Sequence, residues 1–140
     1  MSLSNCEVLS PAGSFESLYA AVRSGADAVY LGAKRFSARR NAENFDDEQL
    51  KEAIKYCKIR GVKVYLTVNI LIKESEISDA VKTVQTAYEN GIDGVIIQDL
   101  GLCLILKKLF PKLELHASTQ MTVYSPAPLK ALKNFGISRV

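Results

Sequence analysis

The chain contains one histidine, His116, in the run Leu113-Glu-Leu-His116-Ala-Ser-Thr-Gln120. Polar and apolar residues alternate there, and the imidazole shares the polar phase with Glu114 and Ser118. A histidine at the end of such a segment can act as a general acid or base, or bind an anion, and a hydrogen-bonded structural role is the competing reading. Asn69, Gln98 and Asp99 stand at comparable points further upstream, and Asp99 is equally suited to capping a helix that begins at Leu100. A second concentration of polar chemistry lies between Gly32 and Phe45, with Lys34, Arg35, Phe36, Arg39, Arg40, Asn41, Asn44 and Phe45. Guanidinium groups beside aromatic rings suit phosphates, carboxylates or stacked bases. The alternative is a solvated basic loop neutralised by Glu43, Asp46 and Asp47. Weaker is Ser10-Pro-Ala-Gly-Ser14, which offers backbone N–H groups to an anion or simply forms a tight turn ahead of a helix.

The elements that must position these residues are legible as a repeat. Gly25-Ala-Asp-Ala-Val-Tyr-Leu, Gly61-Val-Lys-Val-Tyr-Leu-Thr, Gly91-Ile-Asp-Gly-Val-Ile-Ile and Gly136-Ile-Ser-Arg-Val each join a helix-closing glycine to a β-branched run. Their spacing, about one strand, one helix and two loops, is that of consecutive βα units. Strands are expected at 6–9, 27–31, 62–69, 93–98 and 113–117, with a sixth beginning at Ile137. Helices are expected at 14–24, 47–60, 75–90, 100–109 and 126–135. Leu50, Ala53, Ile54 and Cys57 form an apolar stripe on the second helix, and Ile77, Ala80, Val81, Val84 and Ala87 on the third. Ser14 and Asp46 are the expected N-caps.

Right-handed crossovers make such a sheet parallel, as a curling barrel or a doubly wound layer. Alternation of Val62, Val64, Leu66 and Val68 with Lys63, Tyr65, Thr67 and Asn69 favours the barrel, whose strands can send polar side chains into the lumen. The expected fold class is therefore α/β: repeated βα units forming a partial TIM-barrel-like parallel sheet. Eight units need about 250 residues, and the 140 present supply about five and a half. The chain reads as a single domain, 1–140, the N-terminal portion of a barrel cut before closure. Its strand edges are then expected to drive self-association, or rearrangement into an open doubly wound layer.

Composition removes other classes. Apolar residues make up 48% of the chain, charged residues 24%, and the formal net charge is +3, spread almost evenly over both halves. That describes a globular domain, with no charge asymmetry that would announce nucleic acid. No apolar run approaches the roughly 18 residues of a membrane span, and no secretory signal is legible, so a cytoplasmic location is expected. Cys6, Cys57 and Cys103 are too dispersed for zinc or redox spacings and are expected to be reduced core thiols. No metalloprotease, nucleophile-elbow or dinucleotide signature occurs, so no metal site is expected within the chain.

Several runs together resemble one family. Glu7-Val-Leu-Ser-Pro-Ala-Gly-Ser-Phe-Glu-Ser-Leu, Ala26-Asp-Ala-Val-Tyr-Leu-Gly with Phe36-Ser-Ala-Arg39 and Asn44-Phe45, Gln98-Asp-Leu-Gly101, and His116-Ala-Ser-Thr-Gln-Met121 are similar to the N-terminal part of the peptidase U32 family, the collagenase-like proteases. The resemblance covers residues 5–140. It implies a TIM-barrel-like domain continuing beyond Val140 and, despite the protease name, an RNA base hydroxylase acting on a tRNA uridine or ribosomal RNA cytidine with prephenate as co-substrate. A collagenase-like peptidase and a noncatalytic scaffold are the alternatives. Some relatives hold an iron–sulfur cluster through four cysteines, which Cys6, Cys57 and Cys103 do not match; such cysteines would lie downstream, leaving no cofactor within 1–140. Many relatives carry Asn shortly after the Gln120-Met121 phrase, where this chain has Tyr124-Ser125-Pro126. Carried over by position, the resemblance implies His116 and Gln120 at the reacting centre. Arg39, Asn44, Asn69, Asp99, Ser118 and Thr119 would contact substrate, with Arg39 pairing an RNA phosphate or a co-substrate carboxylate.

Overall fold

A computed structural model describes residues 6–38 and 43–140. Strands β1 (Leu9–Pro11), β2 (Ala28–Gly32), β3 (Lys63–Val68), β4 (Gly94–Ile97), β5 (Glu114–Ala117) and β6 (Ile137–Arg139) alternate with helices α1 (Phe15–Arg23), α2 (Asp47–Ile59), α3 (Ile77–Glu89), α4 (Leu100–Leu109) and α5 (Pro126–Asn134). The four repeat glycines, Gly25, Gly61, Gly91 and Gly136, each follow a helix with φ between 71° and 90°, the left-handed region where a side chain is costly. Both expected caps form. Ser14 and Asp46 each accept a hydrogen bond from the third helical residue, whose side chain returns one to the cap. Ser14→Ala should therefore cost about 1 kcal/mol, read as a lower urea midpoint with unchanged slope.

All neighbouring strands are parallel, in the order β1-β2-β3-β4-β5-β6. A doubly wound layer would reverse direction at a switch point. Here the order never reverses and each of α1 to α4 touches the next, so the rearranged layer is not the structure. Curvature shows in one contact. Six strands laid flat at ~4.8 Å spacing would separate β1 from β6 by about 24 Å. Yet Arg139 Nη1 on β6 lies 2.6 Å from Glu7 Oε1, just before β1. The sheet is a barrel wall, and among the described residues the outer edges of β1 and β6 stay unpaired.

The core lies between this wall and its helices. Val64, Leu66 and Val68 of β3, Leu50, Ala53, Ile54 and Cys57 of α2, and Ala80, Val84 and Ala87 of α3 are all fully buried. Two expectations are corrected. The first strand runs 9–11 rather than 6–9: Leu9, Ser10 and Pro11 pair with Ala28, Val29 and Tyr30, a short stretch with almost no period, and Pro11 is tolerated there because β1 is an edge strand. Cys6 is exposed, whereas Cys57 and Cys103 are core thiols that burial pushes up to about 11 and about 12. Among the described residues no helix is long and apolar enough to cross a membrane.

Candidate active site

The C-terminal strand ends open into a cavity of about 700 Å³. One wall is the β2–α2 loop. It folds back so that Phe45 N donates to Gly32 O (2.9 Å) and Lys34 N to Phe45 O (3.0 Å), which lays Ser37 and Asn44 over the mouth, both buried. Asn69 clamps this loop from the end of β3: its N–H donates to Phe36 O (3.1 Å) and its Oδ1 accepts from Ala38 N (3.0 Å). Below it, the Ser37 and Thr67 hydroxyls lie 3.3 Å apart, and Thr67 donates to Leu31 O.

The opposite wall is β5 and its loop. His116 is 4% exposed, its Nε2 lies 3.0 Å from Glu114 Oε2, and its ring packs edge-on against Tyr65 with centroids 4.6 Å apart. Ser118 Oγ accepts from Gln120 N and starts a short turn, Thr119–Met121, that ends on Thr122 with φ 54°. The described non-glycine residues with positive φ are Phe36, Asn44 and Thr122, all in the two loops that form the mouth. Strained backbone persists where surrounding contacts over-determine it, which is common around functional sites.

Asn44, Asn69, His116, Ser118, Thr119 and Gln120 thus line one cavity. Asp99 does not. Its carboxylate accepts from Leu102 N (2.8 Å) as the α4 N-cap and from Ile72 N (3.3 Å), so helix capping, with both oxygens committed to backbone, takes it out of the site. Arg39 lies outside the described residues. Lys34 pairs with Asp46 and Arg35 with Asp79, so part of the basic loop is neutralised as the competing reading expected, though through Asp79 rather than Glu43 or Asp47.

Tyr65 and Thr67 stood on the polar phase of β3 yet were not singled out, and Ser37 carried no signal beyond the length of its loop. Glu7 and Arg139 also border the cavity, and no local pattern joins them; only curvature does. Burial pushes the Glu7 carboxyl upward, but hydrogen bonds from Arg139, Lys63 and Tyr65 together with the Arg139 charge outweigh it and hold the group low. Burial lowers His116 below its ordinary 6.5, aided by the Arg139 charge and opposed by Glu114. Below pH 6.5 the unfolded chain therefore takes up a proton that the folded chain resists. Stability from this group is present above 6.5 and falls as the medium is acidified toward the lower folded value. Glu7 adds a separate loss, at still lower pH. Urea midpoints should accordingly drop between pH 7.5 and 5.5, and His116→Gln should flatten that segment.

The cavity sets hydroxyl, amide and imidazole groups among apolar side chains such as Leu9, Leu31 and Ile96, and its charged described residues, Glu7 and Arg139, are bonded to each other. Such a lining donates and accepts hydrogen bonds around a neutral polar ligand. Residues 13–140 match the family described as Peptidase family U32. The chain is 34% identical to a 23S rRNA 5-hydroxycytidine synthase of Escherichia coli, over 96% of this chain and 20% of that protein. It is 31% identical to a tRNA hydroxylation protein of Bacillus subtilis and 33% identical to a collagenase of Porphyromonas gingivalis, each over 96% of this chain and 32% of the relative. The chain thus spans a fifth to a third of these relatives' lengths. A solved U32 peptidase superposes with TM-score 0.75 at 16% identity, covering 98% of this chain and 58% of that one. A glycerophosphodiester phosphodiesterase from Parabacteroides distasonis gives 0.64 at 15%, covering 96% and 73%. Both show the fold, a TIM-barrel-like α/β wall.

Proposed function

This chain belongs to peptidase family U32, and from that premise we propose that it forms the substrate-binding mouth of an RNA base hydroxylase acting on tRNA or ribosomal RNA. The observation that carries the reading is the cavity of about 700 Å³ at the strand ends, large enough for one nucleobase, where neutral donors and acceptors around His116 stand among apolar side chains. The rRNA- and tRNA-hydroxylating relatives support it. In this reading His116 and Gln120 address the reacting edge of the base, while Asn44, Asn69, Ser118 and Thr119 hold it. Arg39 supplies the cation for an RNA phosphate or for a carboxylate of prephenate, the proposed co-substrate.

Among the described residues no three metal-ligating side chains converge, and the three cysteines stand apart as free thiols. The residues present do not fit an iron–sulfur cluster. For a peptidase, His116 would need a hydroxyl or thiol within hydrogen-bond reach of its free ring nitrogen, and among the described residues the side-chain partner of its ring is the Glu114 carboxylate. The unpaired edges of β1 and β6 support self-association, and a purely monomeric sedimentation profile at high concentration would count against it.

The test is nucleoside mass spectrometry of tRNA and ribosomal RNA from a deletion strain. Loss of a hydroxylated pyrimidine that returns on complementation supports the proposal; an unchanged nucleoside profile overturns it.

A further inference from the structure

Glu114 has no part in the chemistry proposed above, yet it holds the histidine at the centre of the site. Glu114 and His116 stand two residues apart on β5, so both side chains leave the same inward face. Glu114 Oε2 lies 3.0 Å from His116 Nε2. A carboxylate only accepts hydrogen bonds, so this contact requires the proton on Nε2 and leaves Nδ1 of the neutral ring bare. Among the described residues no hydrogen bond reaches Nδ1, and His116 lines the cavity, so Nδ1 is the ring nitrogen left to address a ligand there.

The geometry around the pair is built rather than incidental. Gly94 on β4 pairs in register with Glu114, and a Cβ there would stand 3.2 Å from Glu114 Cβ and 3.3 Å from Tyr65 Cδ1. The missing side chain admits the Tyr65 ring, which fixes the plane of the imidazole. The charged and titratable groups facing this pocket are Lys63 and Tyr65 from β3, Arg139 from β6 and Glu7 ahead of β1. These four are joined to one another by hydrogen bonds, leaving Glu114 to serve the histidine.

We propose that Glu114 is a positioning residue that locks His116 in the Nε2–H tautomer, so that Nδ1 meets the ligand as a hydrogen-bond acceptor. The site then selects a ligand group that donates a hydrogen, such as an imide or amino N–H or a hydroxyl, over one that only accepts. This rests on the reading of His116 as a site residue, but its test does not depend on RNA modification.

The test is long-range proton–nitrogen NMR of the imidazole in the ¹⁵N-labelled chain, with the signal identified by its loss in His116→Gln. Above its titration, wild-type His116 should show the Nε2–H pattern. Glu114→Ala removes a charge-assisted bond and should reduce the tautomer ratio about ten-fold. It should also lower the pH at which the ring titrates, because Glu114 favours the protonated form. Glu114 is 60% exposed, so the change leaves the core intact. Glu114→Gln, which keeps the size and removes the charge, should move the titration the same way. A wild-type ring in the Nδ1–H form, or a tautomer ratio and titration unchanged in both variants, overturns the proposal. The ring could be locked in a protein that modifies no RNA, and RNA could be modified with the ring unlocked, so the two readings fail separately.

Discussion

His116→Gln in the full-length protein should reduce formation of the hydroxylated nucleoside by about 10²- to 10⁴-fold, the usual contribution of a positioned acid–base group. Glutamine approximates the size and neutrality of the buried imidazole, so the fold should survive the change. It cannot offer both an N–H toward Glu114 Oε2 and a basic nitrogen toward the cavity from the same rigid ring. The measurement is single-turnover modification of purified RNA, normalised to folded protein by circular dichroism. Lys51→Ala is the matched control: Lys51 is on α2, paired with Glu48 on the exposed side of the helix, and its loss should leave the rate unchanged. An active His116→Gln enzyme would remove His116 from the reacting centre.

Gly32→Ala should be the most damaging single-methyl addition at the mouth. A Cβ on Gly32 would stand 2.6 Å from both Asn44 Oδ1 and Ser37 Oγ, and 2.9 Å from Ser37 Cβ. Those are contacts that real side chains do not make, and neither neighbour is a flexible surface group: Ser37 and Asn44 are 6% and 8% exposed. The loop must therefore lift away from the mouth, breaking the seat of Asn44, whose left-handed φ of 49° is held by its surroundings. Overpacking of this kind costs about 1–3 kcal/mol, which should lower the urea midpoint visibly. Substrate affinity should fall with it, because the displaced residues form one wall of the cavity. A variant with wild-type midpoint and wild-type affinity would show that the loop does not close the site.

Much of this was legible from residues alone. Glycines before β-branched runs, apolar stripes on α2 and α3, and serine or aspartate caps are properties of a few neighbouring residues, so α1 to α5 and β2 to β6 fall close to where periodicity places them. β1 slipped because three residues around a proline carry almost no period. Polar alternation in β3 and β5 likewise identified an inward face, and with it His116 and Ser118. Asp99 shows the limit of that logic. A strand-end carboxylate reads the same in sequence whether it faces a cavity or caps a helix, and only the positions of Leu102 N and Ile72 N decide between them.

The βα repeat, the parallel sheet, the polar inner face and the family thus follow from the order of residues along the chain. Tertiary structure alone decided which polar residues share a cavity. The Glu7–Arg139 bond spans 132 positions and exists only because small twists between adjacent strands accumulate into a curved wall. The burial of Ser37 and Asn44 likewise depends on a loop returning to a glycine that leaves room for it. Local propensity acts over a few residues, whereas curvature and close approach are sums over the whole sheet, and no short stretch of sequence carries them.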